Sequence, residues 1–166
     1  MNENHFNKLK ETLIVKFPDA VLTSDFTYQF PAFTIKTDYI YDVLAFLKND
    51  EELNFHFLTD LTGFQTADEK QLGVIYHLHN MPKNVRVRIR TYFDINKPEI
   101  PSVTSLWPGA NWMERETFDF YGVKFKGHPD LRRILNVDEM DIFPLRKEYP
   151  LEDQTRDDKN DKMFGR

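Results

Sequence analysis

The sequence predicts an α+β fold: a two-layer domain with its helices on one face of a mostly antiparallel sheet, continued by an extended C-terminal docking segment. Three observations predict it. Apolar residues recur at spacings of three and four in two stretches, 6–17 and 40–47. Alternating runs follow one another between residues 55 and 93, joined by polar connections. After Phe93 both periodicities stop, and proline, arginine and aromatic residues take over.

The first helix carries Phe6, Leu9, Leu13 and Phe17 on one stripe and ends at Pro18 and Asp19. Two short extended runs follow, 21–22 with 28–30, and 33–36. A second helix opens at Thr37 or Asp38, either of which caps it, buries Ile40, Val43, Leu44 and Leu47, and closes at Asn49 and Asp50.

In the strands, Phe55, Phe57 and Thr59 alternate with His56, Leu58 and Asp60. Leu72, Val74, Tyr76 and Leu78 share one face of the next run. Val85, Val87, Ile89 and Thr91 then alternate with Arg86, Arg88, Arg90 and Tyr92, the pattern of a sheet with one buried and one wet face. Connections at 63–71 and 80–84, the second containing Pro82, suit consecutive antiparallel strands.

Beyond a short turn at 102–106, a third helix starts at Asn111. Glu114 stands three residues on, the spacing of a capping box with Asn in place of Ser or Thr. Gly122 fits the glycine that ends a helix. The chain therefore divides into an α+β domain at 1–95, a signature helix with a docking extension at 96–151, and a flexible charged tail at 152–166.

Composition narrows the function. The 166 residues are 40% hydrophobic and include 15 Phe and 7 Tyr, enough for an aromatic-rich core. With no cysteine, the chain cannot form a disulfide or ligate an iron–sulfur cluster through thiolates. A net charge of −5 argues against a nucleic-acid binder. No stretch reaches the roughly 20 apolar residues of a membrane span. The start, MNENHFNKLKETL, has neither the apolar region of a secretion signal nor the arginines of a transit peptide, so any membrane association is expected through partners.

No G-x-G-x-x-G or P-loop spacing is present. His77 and His79 point the same way on one strand and, with His56, form a candidate metal set, weighed against a solvated face that happens to carry histidines. The stripe Arg86, Arg88, Arg90 fits an anionic partner, or a wet face paired with acidic neighbours. On the third helix, Arg115 and Asp119 lie one turn apart and are expected to pair. Glu114 and Glu116 point about 200° apart and are no catalytic dyad. The run 127–135 combines His128, Arg132 and Arg133 with aliphatic residues, the chemistry of an adhesive surface.

These segments carry a resemblance. Residues 102–112, SVTSLWPGANW, lead into Glu114-Arg115-Glu116 and Phe118-Asp119-Phe120-Tyr121-Gly122, followed by GHPDLRRIL at 127–135 and PLRKEYPL at 144–151. Together with FLTDLT at 57–62 and Tyr76-His77-Leu78, the stretch 55–151 resembles the C subunit of NADH-quinone oxidoreductase, respiratory complex I. Ile142 and Phe143 depart from the family, which often has Gly and His there.

The resemblance implies a peripheral-arm subunit without catalytic residues and without a cofactor of its own. NADH, FMN, the iron–sulfur clusters and quinone would be handled by other subunits. It implies packing against the D subunit, with the B and I subunits nearby, on the cytoplasmic face of the bacterial inner membrane. The complex as a whole would transfer electrons from NADH to quinone and translocate ions. It also makes Arg115, Glu116, Asp119, His128, Arg132, Arg133 and Arg146 the expected anchors, some between subunits and some internal. Alternatives are the equivalent subunit of a membrane-bound hydrogenase or another quinone-linked complex, an RNA-binding module using the arginine stripe, and a metal-dependent hydrolase using the histidines.

Overall fold

A computed structural model describes residues 3–27 and 30–149. The charged tail expected at 152–166, the end of the docking segment at 150–151, and Tyr28 in the first strand pair lie outside the described residues.

Helix α1, Glu3–Lys16, buries Phe6, Leu9 and Leu13, the stripe its spacing predicts. Strands β1, Val21–Thr27, and β2, Phe30–Ile35, pair antiparallel. Helix α2, Ile40–Asn49, buries Ile40, Val43, Leu44 and Leu47. Strands β3, Phe57–Gln65, β4, Gln71–Asn80, and β5, Val85–Asp94, form an antiparallel meander, and β2 runs parallel to β5. The sheet order is β1-β2-β5-β4-β3. A short parallel pair, β6, Glu99–Pro101, and β7, Lys124–Lys126, flanks helix α3, Ala110–Tyr121.

All three helices lie on one face. Phe6 of α1 stacks on Phe26 and meets Phe33, which sits beside Ile89 in the sheet. Gly63 of β3 shares a face with Val74, and a Cβ there would lie 2.7 Å from Thr117 Cγ2 of α3. The missing side chain lets α3 sit directly on the strand. Ile100, Val103, Leu106, Trp107, Ala110, Val123 and Phe125 join the same apolar cluster as the sheet and the first two helices.

Four local expectations are corrected. Neither Thr37 nor Asp38 caps α2: a 3-10 turn, Thr37–Tyr39, precedes it, and Thr37 Oγ1 instead reaches Thr91 Oγ1 and the Tyr92 carbonyl, both at 3.1 Å. Phe55 and Phe57 do not share a face: Phe55 precedes β3 and is 1% exposed, Phe57 opens the strand and is 46% exposed, and an irregularity between Leu58 and Asp60 breaks the alternation further along. The connection expected at 63–71 is shorter, because β3 runs on to Gln65 and β4 begins at Gln71. The capping box at Asn111 is absent: α3 starts at Ala110, behind Gly109, and no side chain caps it. Glu114 is fully buried and accepts from the Val103 N–H at 2.7 Å, holding the preceding loop rather than its own helix.

Candidate functional site

Gly127, at φ +84°, turns the chain after β7, and residues 128–149 are laid back along α3. The contacts advance in step. His128 Nε2 meets the Asn111 carbonyl at 3.1 Å. One turn along, Arg115 donates to the carbonyls of Arg132 at 3.1 Å and Arg133 at 2.7 Å. Next, Asp119 receives residues 133–136. At the helix end, the Leu145 N–H donates to the Phe120 carbonyl, and Arg146 Nε donates to that of Tyr121 at 2.8 Å. Finally the Lys147 N–H reaches Gln65 Oε1 at 2.7 Å, tying the extension to β3.

The physical reason is backbone accounting. Residues 128–149 form no helix or strand, so their carbonyls and N–H groups need partners elsewhere. Charged side chains supply them. Asp119, 0% exposed, accepts at Oδ2 from the N–H groups of Ile134, Leu135 and Asn136, and at Oδ1 from Arg133 and the Asn136 amide. Burial alone would push its carboxyl up. The Asn136 N–H, Arg133, the Leu135 N–H and the Asn136 amide outweigh that and hold it well below the usual carboxylate range.

Arg133 is 8% exposed and meets Asp119 Oδ1 at 2.7 Å. Its other donors go to the carbonyls of Asp119, Met140 and Ile142. Its guanidinium lies 5.3 Å from the Phe143 ring centre, and that of Arg146 lies 4.8 Å away. Phe143 is thus the platform both arginines rest on. Gly122 closes α3 at φ +75°, and a Cβ there would sit 2.6 Å from the Phe143 ring.

The expected pair Arg115–Asp119 is therefore not formed. Each prefers the irregular segment: Asp119 gains buried N–H donors there, and Arg115 satisfies carbonyls that nothing else reaches among the described residues. Arg132 makes an exposed ion pair with Asp130 at 2.9 Å. His128 is held at both ring nitrogens, accepting the Asp130 N–H at Nδ1. Glu116 joins Thr62, Gly63, Thr117, Phe120, Tyr121 and Leu145 around a cleft of about 300 Å³.

Two features leave little trace in the sequence. The braced segment and the first turn of α3 display large apolar side chains: Leu135 is 66% exposed, Val137 64% and Leu145 44% on the segment, and Trp112 62% on the helix. Leu135 and Val137 in an otherwise polar stretch are the available signal. The second is Glu114, whose Oε2 has no partner among the described residues, as is also true of the buried Tyr76 hydroxyl. Burial pushes Glu114 up to about 7, against the downward pull of the Val103 N–H and the Ser102 hydroxyl.

The histidines are dispersed. His77 Nε2 accepts from Arg88 Nε at 2.9 Å, His56 Nδ1 meets the Asn54 carbonyl, and His79 Nε2 is buried without a partner among the described residues. The described residues hold no group of three His, Cys, Asp or Glu that could bind a metal.

A family model described as the respiratory-chain NADH dehydrogenase 30 Kd subunit matches residues 33–155. The C subunit of NADH-quinone oxidoreductase from Roseiflexus sp. (strain RS-1) is 41% identical over 143 residues, covering 85% of this chain and 82% of that protein. The C subunit from Moorella thermoacetica is 42% identical over 122 residues, covering 74% and 81%. Among solved structures, the trypsin-resistant fragment (1-134) of Nqo5 superposes with a TM-score of 0.64 at 25% identity, over 75% of this chain and 98% of that one. A chain of the membrane-bound sulfane sulfur reductase, an archaeal respiratory membrane complex, superposes at 0.73 with 26% identity, over 87% and 85%.

Proposed function

Since the chain belongs to the respiratory-chain NADH dehydrogenase 30 kDa family, the C subunits of NADH-quinone oxidoreductase, we propose that it serves that complex by docking rather than by chemistry. Residues 1–95 act as the frame and 96–151 as the docking extension. The observation that carries this reading is the seam: buried charges fix a segment without regular structure that exposes Leu135, Val137 and Leu145, while Trp112 is exposed on α3. A segment already ordered loses less conformational freedom on association, so its apolar contacts yield more affinity.

Within the complex, this chain's residues hold shape. Asp119, Arg133, Arg115 and Arg146 set the path of the extension. Trp112, Leu135 and Val137 offer contact area, and Glu116 and Arg132 remain for polar contacts at its rim. The partners we propose are the D, B and I subunits of the peripheral arm, on the cytoplasmic side of the membrane. Electron transfer from NADH to quinone, and the ion translocation coupled to it, belong to the assembled complex, whose NADH, FMN, clusters and quinone sit on other chains. No helix among the described residues is long and apolar enough to cross a membrane.

Copurification tests this. A tagged chain drawn from gently solubilised membranes should bring the other peripheral-arm subunits with it, and Arg115→Ala should lower that yield severalfold. An Arg115→Ala chain that assembles normally yet blocks turnover would refute the docking role of that residue. The likeness to the sulfane sulfur reductase chain favours a second reading, service in a related hydrogenase-like or other respiratory membrane complex. Recovery of such a complex's subunits instead of NADH-oxidising ones would select it.

A further inference from the structure

The sheet face turned away from the helices carries Arg86, Arg88 and Arg90 in a row along β5. Their circumstances differ. Arg90 is neutralised by Asp25 and also donates to Thr34 Oγ1 at 2.9 Å. Arg88 gives Nε to His77 Nε2 at 2.9 Å and lies 5.1 Å from the Phe30 ring centre, which fixes its guanidinium without cancelling its charge. Arg86 is exposed, and its side chain has no hydrogen-bond or ion-pair partner among the described residues. Asp60, a carboxylate of the same face, lies on the other side of His77, with Oδ2 3.7 Å from Nδ1.

Between these groups lies a cleft of about 130 Å³ lined by Phe30, Thr59, His77, Leu78, Arg86 and Arg88. That is well below the roughly 300–1,000 Å³ of a cofactor or drug-sized site, and suits one side chain. Phe30 supplies an aromatic wall, the Leu78 side chain being turned into the core, and two uncancelled guanidinium groups stand at the edge. Phe57, 46% exposed, continues the apolar surface along β3.

We propose that this cleft receives an aspartate or glutamate side chain from a neighbouring chain of the complex, the carboxylate bridging Arg86 and Arg88 while its stem rests against Phe30. The inference rests on the reading of the chain as part of a complex and adds a second contact surface, on the opposite side of the sheet from α3. Charge complementarity selects a carboxylate. Arginine forks match carboxylates in a bidentate way, and only Arg86 and Arg88 of the row are uncancelled. A nucleic-acid backbone calls for a longer cationic track than this one, and the chain is net −5 with Asp25 and Asp60 on the same face.

The test uses the purified complex. A photo-reactive benzophenone amino acid at position 57, exposed on β3 and outside the cleft lining, should cross-link under light to another chain within a few residues of an Asp or Glu. Arg86→Glu should release the protein from the complex roughly tenfold faster, and reversing the cross-linked acid to Arg should rescue it. Absence of a cross-link, a cross-link only to this chain, or one to a segment lacking an acid each overturns the proposal. So does tight, salt-sensitive binding of single-stranded RNA by the full chain that Arg86→Glu abolishes. A chain that fails to copurify with any complex defeats the docking reading itself, whereas a chain that copurifies and yields no cross-link at position 57 defeats only this inference.

Discussion

The seam along α3 and the open face of the sheet are both rich in arginine, yet they use it in opposite ways. On the sheet, neighbouring strands satisfy one another's backbone groups, so the side chains of β5 are left to find partners of their own, and Arg86 finds none among the described residues. Along the seam no strand or helix closes the backbone of 128–149, and Arg115, Arg133 and Arg146 are drawn in to bond its carbonyls or those of α3. Whether an arginine is an internal brace or an external contact follows from the state of the backbone beside it.

The largest effect is expected at Asp119. Asp119→Ala leaves Arg133 buried without its counter-charge and strips the N–H groups of 134–136 of their acceptor. The expected loss is roughly 3–5 kcal/mol, read as a fall in the urea midpoint together with new proteolytic cleavage between 130 and 145. A variant as stable and as resistant as the parent would mean that the seam contributes nothing.

Glu114 sharpens the contrast from within α3, being a buried carboxyl with one N–H donor where Asp119 has several. Its pKa is raised from 4.5 to about 7, so the folded chain holds a proton the unfolded chain has released. Stability is therefore full below about pH 4.5, erodes as pH rises through 7, and is level above; at 1.36 kcal/mol per unit the loss is on the order of 3 kcal/mol. Glu114→Gln should recover much of it at pH 8 and little at pH 4. Asp119 works in the opposite sense: its lowered pKa gives stability that is present above about pH 3.8 and is lost as pH falls below that. Denaturation midpoints across pH 3–9 for both variants check the two signs.

Gly122→Ala comes next. A side chain at φ +75° costs about 1–2 kcal/mol, and the approach to Phe143 adds to it. Melting with and without Phe143→Ala should show the two effects coupled. Arg86→Ala is the smallest, within about 0.5 kcal/mol of the parent. A large loss there would place Arg86 in an internal network and erase the difference between the two faces.

What the sequence reveals follows the same line. Helices α1 and α2 and strands β4 and β5 are legible because one face of each is buried, and burial writes a period into the residues, as with Leu9 and Leu13 or Val87 and Ile89. The α+β class and the family rest on these and on the motifs of 102–151. The seam is legible only as a set of residue types. Spacing pairs Asp119 with Arg115, four residues away, because helical neighbours are the only ones it discloses. The real partners of Asp119, fourteen to seventeen residues on, depend on the path of a segment without period. The pair β6–β7 escapes for the same reason, being three residues to a strand.

The docking role turns most directly on whether residues 128–149 are ordered before any partner arrives. Amide hydrogen exchange on the isolated full chain answers this at Ile134, Leu135 and Asn136. Exchange slowed to the level of α3, and released by Asp119→Ala, is the predicted result. Exchange at the rate of an unstructured peptide, slowing only once the chain is inside the complex, would contradict it.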